Sequence, residues 1–419
     1  MPKYKEGVDV LTSAKERVKI AFNNFEKICV SYSGGKDSNV MLQLVLDEAI
    51  KRGRKVAVLF IDLEAQYDLT IKSVEKMFED FAEHIEPYWV CLPIHLRNAV
   101  SVYEPFWLCW DESVKHMWVR NPPKMAISDT SHFPFFNSGM EFEEFVPEFA
   151  EWYSDGVPSA FFVGIRSDES YSRYMTITSN QKKKFCGFRY TTGVCDSSDS
   201  YNFYPLYDWT TEDIWTFSSR PESKIQNEIY DRMQMAGVPI SQQRLCQPYG
   251  DDQRRGLWLF HLLEPTTWPK VVARVTGANS GALYCEESGN VNGYRNIYKP
   301  VGITWKQFAE NLVSSMPKKS KDHYEEKIGI FIRWWLERGY ENGVPDEIDH
   351  ELEVQKKAPS WRRVCKSILR NDYWCKGLGF TQPKSDAYKE YLSSKEKTNK
   401  KKNKTVEIKY DDLGHGLLF

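Results

Sequence analysis

The run Ser31-Tyr-Ser-Gly-Gly-Lys-Asp-Ser38 has the residue types of an anion cradle. Gly34 and Gly35 let the backbone turn tightly and come close to an anion with no Cβ in the way. Ser31 opens the run, Ser33 and Ser38 add hydroxyls, Lys36 adds a cation and Asp37 a carboxylate. An apolar run, Ile28-Cys-Val30, precedes it, and a helical pattern from Asn39 to Arg52 follows. Strand, glycine turn and helix in that order aim the first helical N–H groups at the anion, and the helix dipole favours its charge. The common phosphate loop, Gly-x-x-x-x-Gly-Lys-Ser/Thr, is a different string. Here Gly35-Lys36 is followed by Asp37, and Val30 stands five residues before Gly35.

Three further runs carry usable chemistry. Gly164-Ile-Arg-Ser-Asp-Glu-Ser-Tyr-Ser-Arg173 places a glycine at the end of an apolar run, then Arg166 and Arg173, whose planar forks suit phosphate or sulfate. Glu169 between them is suited to holding one arginine or a metal. Phe60-Ile-Asp-Leu-Glu64 sets Asp62 just after an apolar stretch. Tyr204-Pro-Leu-Tyr-Asp-Trp-Thr-Thr-Glu-Asp-Ile-Trp215 offers Asp208 or Thr210 as the cap of a following helix.

The elements that must position these residues alternate. A helix is expected over 11–26, with Ser13 and Glu16 as a capping box. A strand follows at 27–32, a helix to Arg52 with Gly53 just past its end, and a buried strand at 55–61. A helix at 68–84 and strands at 87–92 and 160–165 complete the pattern. This order predicts an α/β fold, a parallel sheet sandwiched by helices. Ligands of such sheets bind beyond the carboxyl ends of the strands. The Ser31–Ser38 loop, Asp62 and Gly164–Arg166 all fall there. Residues 93–158 form an irregular, aromatic-rich insertion with Trp107, Trp110, Trp118 and Trp152, which either roofs a pocket or packs as a structural mini-core. After Tyr207 the segments 210–217, 224–236, 265–275, 304–314, 322–338 and 360–370 read as helices. The expected division is 1–218 for the sheet domain, 219–394 for a mainly helical C-terminal domain, and 395–419 for a tail. That tail begins with six lysines in the ten residues 395–404, a solvated or polyanion-contacting segment.

Composition narrows the class. At 419 residues and net charge −2, bulk charge points to no polyanionic partner. No apolar run approaches the roughly 18 residues of a membrane span. Residues 1–7 lack the apolar stretch of a signal peptide. The nine cysteines are scattered and odd in number, as expected for reduced thiols in the cytoplasm. Of these, Cys246, Cys285, Cys365 and Cys375 share the second domain with His261, without the spacing of a zinc site. Residues 244–255, with Arg244, Asp251, Asp252, Arg254 and Arg255, suit either a reach toward the cradle or an interdomain ion-pair network.

The string Ser-Gly-Gly-Lys-Asp-Ser resembles the PP-loop, the pyrophosphate-binding signature of the adenine nucleotide α-hydrolase-like superfamily. The 164–173 and 204–215 runs are similar to elements of the phosphoadenylylsulfate (PAPS) reductase group. The runs 54–66, 244–254 and 371–379 look like the bacterial IbrA/YbdN type, which extends the resemblance over nearly the full chain. The resemblance implies ATP or a related adenine nucleotide, with Mg²⁺. The implied nucleotide contacts are Ser31, Ser33, Gly34, Gly35, Lys36, Asp37, Ser38, Phe60, Asp62, Gly164 and Arg166. Asp37 and Asp62 are the implied metal ligands, and Lys36, Asp37, Arg166, Glu169 and Arg173 the implied catalytic set. It further implies a ParB/sulfiredoxin-like protein partner, a link to DNA or RNA, and transcriptional co-activation.

One departure shapes the expected activity. PAPS reductases carry a catalytic Cys in a Glu-Cys-Gly-x-His motif, and no such string occurs in this sequence. The expected chemistry is cleavage or transfer at the α-phosphate with release of pyrophosphate, in a regulatory or nucleic-acid-linked role. True sulfonucleotide reduction and a non-catalytic nucleotide sensor are the alternatives.

Overall fold

A computed structural model describes residues 8–101, 103–178, 182–194, 199–245, 249–250, 257–284, 297–381, 384–385 and 388–395. Cys195, Cys246, Cys285, Asp251, Asp252, Arg254, Arg255 and the tail from 396 onward lie outside the described residues.

The chain opens with α1 (Val10–Asn24), β1 (Lys27–Tyr32) and α2 (Lys36–Lys51). It continues with β2 (Val56–Ile61), α3 (Asp68–Asp80) and β3 (Ile85–Val90). A short hairpin, β4 (His95–Arg97) and β5 (Phe106–Leu108), leads into α4 (Phe142–Ser154) and β6 (Ser159–Val163). Then come α5 (Tyr171–Thr178), β7 (Thr191–Gly193), β8 (Tyr201–Phe203) and α6 (Thr211–Ser218). The strands form a sheet in the order β3-β2-β1-β6-β8-β7, parallel except for the edge strand β7. β2 is buried at every position, as a central parallel strand covered on both faces must be. Neighbouring residues of β3 show the two faces. Trp89 packs on Phe78 of α3, while Tyr88 meets Phe149, Trp152 and Tyr153 of α4.

Two local expectations change. Asp9, not the Ser13–Glu16 pair, caps α1 by accepting from the N–H groups of Leu11 and Thr12, both at 3.0 Å. Ser13 is buried one turn in. The sheet also has strands beyond the expected four. β7 and β8 are three residues each, too short to show alternation.

The aromatic insertion holds the β4–β5 hairpin and α4. Its Trp107, Trp110, Phe133, Phe145 and Phe149 belong to the same core as the sheet. So do residues from α7 (Ile229–Met235), α8 (Leu257–Leu263), α9 (Trp268–Arg274) and α10 (Ala278–Tyr284). A second core is built by α11 (Trp305–Ser314), α12 (Lys318–Leu336) and α14 (Trp361–Leu369), with α13 (His350–Val354) beside them. The first core thus runs through α10 and also takes Tyr388, while the second begins at Trp305.

Candidate functional site

Gly35 caps α2, and Gly34 before it adopts φ +70°, a left-handed turn in which a Cβ would lie 2.8 Å from the Thr70 Cγ2. The two serines brace the turn. Ser38 Oγ donates to Gly35 O at 2.9 Å, lies 3.0 Å from Ser33 Oγ, and accepts from Ser33 N at 3.3 Å. Ser31 sits inside β1, paired with Leu59 and Val163. Ser33 is exposed at the loop tip.

Three of the four informative runs meet at the start of α2. Asp37 bridges two cations: its Oδ2 lies 3.2 Å from Lys36 Nζ, and its Oδ1 accepts from Arg166 Nε. Arg166 is buried, and its remaining nitrogens reach Trp209 O and Thr211 Oγ1, both at 3.4 Å. The 204–215 run therefore aims an arginine at the cradle. Within it, Thr210 caps α6 in a capping box with Asp213. Asp208 instead takes a two-pronged pairing from the buried Arg17 of α1, at 2.7 and 2.9 Å. Gly164 comes so close that a Cβ there would stand 3.3 Å from the backbone Cα and N of Ser38. Glu169 accepts from Arg166 N at 3.1 Å and from Arg173, and Arg244 Nη2 donates to its backbone carbonyl at 2.9 Å. Arg173 itself is exposed.

The fourth run forms a separate network. Asp62 is fully buried. Its carboxylate accepts from Trp89 Nε1 at 2.9 Å, from Glu64 N at 3.0 Å and from Arg120. Glu64, equally buried and at φ +63°, accepts from Trp110 N at 2.7 Å and from Arg274 at 2.9 and 3.1 Å. Phe60 is core, between Tyr32 and Trp89. Asp62 and Asp37 thus share no partner. Among the described residues no three His, Cys, Asp or Glu side chains gather as a metal site. Mg²⁺ commonly binds through one or two carboxylates plus substrate phosphates, and Asp37 is the partly accessible carboxylate at the cradle.

Sequence reasoning did not single out Asn227, Tyr230 and Gln243. Asn227 Nδ2 donates to Gly34 O at 2.8 Å, and Tyr230 OH accepts from Lys36 N at 2.8 Å. Gln243 O accepts from Lys36 Nζ at 2.9 Å. Nothing in their local sequence signals this, because the contacts span about two hundred positions. The thiols of Cys29, Cys91 and Cys109 are pushed well up by burial, and those of Cys365 and Cys375 to about 12 by the same cause. A nucleophilic thiol needs the opposite shift.

Residues 27–90 and 146–248 match the model of the phosphoadenosine phosphosulfate reductase domain. Residues 237–342 and 341–389 match a domain of unknown function, DUF3440. The uncharacterized protein YbdN of Escherichia coli (strain K12) is 43% identical over 385 residues, covering 92% of this chain and 93% of YbdN. Among solved structures, Candida glabrata FMN adenylyltransferase in complex with FAD and inorganic pyrophosphate aligns with a TM-score of 0.31 at 16% identity. That alignment covers 53% of this chain and 58% of the enzyme. The phosphate complex of PAPS reductase from Candida auris aligns with a TM-score of 0.28 at 16% identity, over 52% of this chain and 84% of the reductase. No helix among the described residues is long and apolar enough to cross a membrane. By its PP-loop, its reductase-domain match and its near-full-length kinship with YbdN, this chain belongs to the PAPS-reductase-like PP-loop family, in its YbdN type.

Proposed function

We propose that the cradle binds the phosphates of ATP or a related adenine nucleotide and promotes cleavage or transfer at the α-phosphate, releasing pyrophosphate. The observation that carries this is the convergence of Lys36, Asp37 and Arg166 on the N-terminus of α2. It lies where β1 has β2 on one side and β6 on the other, the switch point at which open parallel sheets take ligands. Loop N–H groups and Lys36 would hold the leaving pyrophosphate, where charge builds up as the bond to the α-phosphate breaks. Arg166, preset by Trp209 O and Thr211, would meet the α-phosphate or an acidic acceptor. Mg²⁺ would arrive with the phosphates, with Asp37 as its protein ligand, and supply further charge neutralisation. Glu169 fixes Arg173 and the backbone of Arg166.

Purified protein is expected to bind ATP and release pyrophosphate when an acceptor is supplied, and Lys36→Ala is expected to lower turnover about a hundredfold or more. Failure of the full-length protein to bind any adenine nucleotide would sink the proposal.

Sulfonucleotide reduction is the second reading, favoured by the reductase-domain match. The lack of a Glu-Cys-Gly-x-His string in the sequence opposes it, and sulfite production from PAPS with thioredoxin would decide for it. A regulatory role on nucleic acid, alone or with a ParB-like partner, belongs to the same proposal and rests on the lysine-rich segment 395–404. A duplex-DNA mobility shift that weakens with salt is the expected sign.

A further inference from the structure

Three groups on one segment, 227–243, close over the PP-loop, and two of them are oxygen acceptors placed where phosphate oxygens would act. The hydroxyl of Tyr230, near the start of α7, accepts from the backbone N–H of Lys36, the first residue of α2. The carbonyl of Gln243 accepts from Lys36 Nζ. The backbone N–H and one of the three Nζ donors that Lys36 would offer a phosphate are thus taken. The third contact is a latch, since Asn227 Nδ2 donates to the carbonyl of Gly34 and also to Thr70 Oγ1 at 3.1 Å. Asp37 completes the closure by pairing with both Lys36 and Arg166. Lys36 and Tyr230 are both buried, so no solvent layer separates lid from loop.

Lys36 Nζ has three donors, of which Gln243 O and Asp37 Oδ2 hold two, so a phosphate that engages this ammonium with more than one oxygen must displace one of them. The Tyr230 hydroxyl has a donor of its own, but its lone pair holds the N–H that an anion at the helix start would claim. We infer that 227–243 is an intramolecular stand-in for the phosphates, so that nucleotide binding and displacement of this segment are one coupled event. The inference rests on the nucleotide reading of the PP-loop and names the regulation of that site.

The lid is not loosely held. Ile229, Tyr230 and Met233 are buried in the main core, and the Tyr230 ring meets Trp215 edge-on at 5.4 Å. The open form is therefore a minor population, and apparent nucleotide affinity is reduced by that fraction. By reciprocity, whatever draws α7 off the loop raises affinity, and nucleotide loosens α7 to the same extent. α7 packs on α8, and α8 on α10, which gives displacement a route into the helices that follow the sheet.

The test uses the full-length protein, its Tyr230→Phe variant, and two probes, ATP with Mg²⁺ and inorganic pyrophosphate. Phenylalanine keeps the ring and removes the hydroxyl oxygen that accepts from Lys36 N. Without ligand, amide exchange at Lys36 is expected to rise in Tyr230→Phe. By calorimetry the variant is expected to bind both probes about tenfold more tightly, because its closed form leaves a buried N–H unsatisfied. In wild type, either probe is expected to speed exchange across 227–243. Tight binding with 227–243 as protected as before overturns the inference and leaves nucleotide binding intact, as does weaker binding by Tyr230→Phe. If neither protein binds either probe, although Lys36 exchange has risen in the variant, the nucleotide reading falls and the coupling falls with it.

Discussion

Asp37 and Asp62 look alike in the sequence, each a carboxylate just past a strand of the same sheet, yet their surroundings separate them. Asp37 is partly exposed between Lys36 and Arg166, beside the helix start that defines the cradle. Asp62 is buried among Trp89, Glu64 N and Arg120. Arg120 depends on it heavily, because Arg120 Nε and Nη1 have no hydrogen-bond partner. Asp62→Asn would leave that arginine without its counter-charge and is expected to cost about 3 kcal/mol in urea unfolding. Nucleotide affinity, measured below the unfolding transition, is expected to stay within about twofold, since Asp62 shares no partner with the cradle. Loss of affinity at full stability would place Asp62 in the metal or nucleotide set. Local pattern placed both carboxylates at strand ends. It could not rank them, because burial was decided by Trp89 and Arg120, 27 and 58 positions away.

At the level of elements, β1, the loop and α2 were readable because their causes are local: an apolar run, two glycines, and a helical period ended by Gly53 at φ +62°. Gly164 was readable as the glycine that ends an apolar run but not for what it approaches. It is the spacer that sets the end of β6 against the first turn of α2. In Gly164→Ala the Cβ meets the backbone of Ser38 and Asp37 at 3.3 to 3.4 Å, atoms that cannot rotate away. The variant is expected to lose about 1–3 kcal/mol of stability by overpacking. Its ATP affinity should also fall, as the N-terminus of α2 shifts from Arg166; thermal melts and calorimetry would show both. The β7 and β8 strands escaped notice because three residues show no period. α4 escaped because Pro147 and a dense set of aromatics obscured its pattern, although it runs unbroken from Phe142 to Ser154.

For the whole molecule, alternation of strand and helix stops after Tyr207, and that change suggested a boundary at 218. Helices α7 to α10 nonetheless bury their apolar faces against the sheet side, because a helix joins whichever core offers it apolar area. The second core meets the first through a polar and aromatic seam. Asn371 donates to Ala99 O at 2.9 Å, Arg97 donates to Asn371 O at 3.1 Å, and Phe106 packs on Tyr373 and Trp374. His323 stacks on Tyr373 at 3.9 Å, and His95 on Phe106 at 4.6 Å. Burial is the main cause that pushes both imidazoles below their ordinary range, and Lys327 and Arg97 near His323, and Lys319 near His95, act in the same direction. The unfolded chain therefore takes up protons first as pH falls below 6.5. Stability contributed by the neutral imidazoles is present above that pH and is lost below it. The urea midpoint is expected to drop between about pH 7.5 and about pH 5.5, and to drop less in His323→Gln. Equal losses in both proteins would remove His323 from the account.

The sequence by itself determined the PP-loop, the order of the first parallel strands, the arginine at 166 and the kinship with PAPS-reductase-like proteins. The PP-loop and the Arg166 run are each carried by residues within about ten positions of one another, where spacing translates directly into geometry. Only the tertiary structure decided that Asp37 and Arg166 pair, that Asp62 is spent inside the core, and that Tyr230 and Gln243 cover Lys36. Those contacts join residues 27 to 207 positions apart. Such partners are set by how helices and strands pack, and no local period of the chain encodes that.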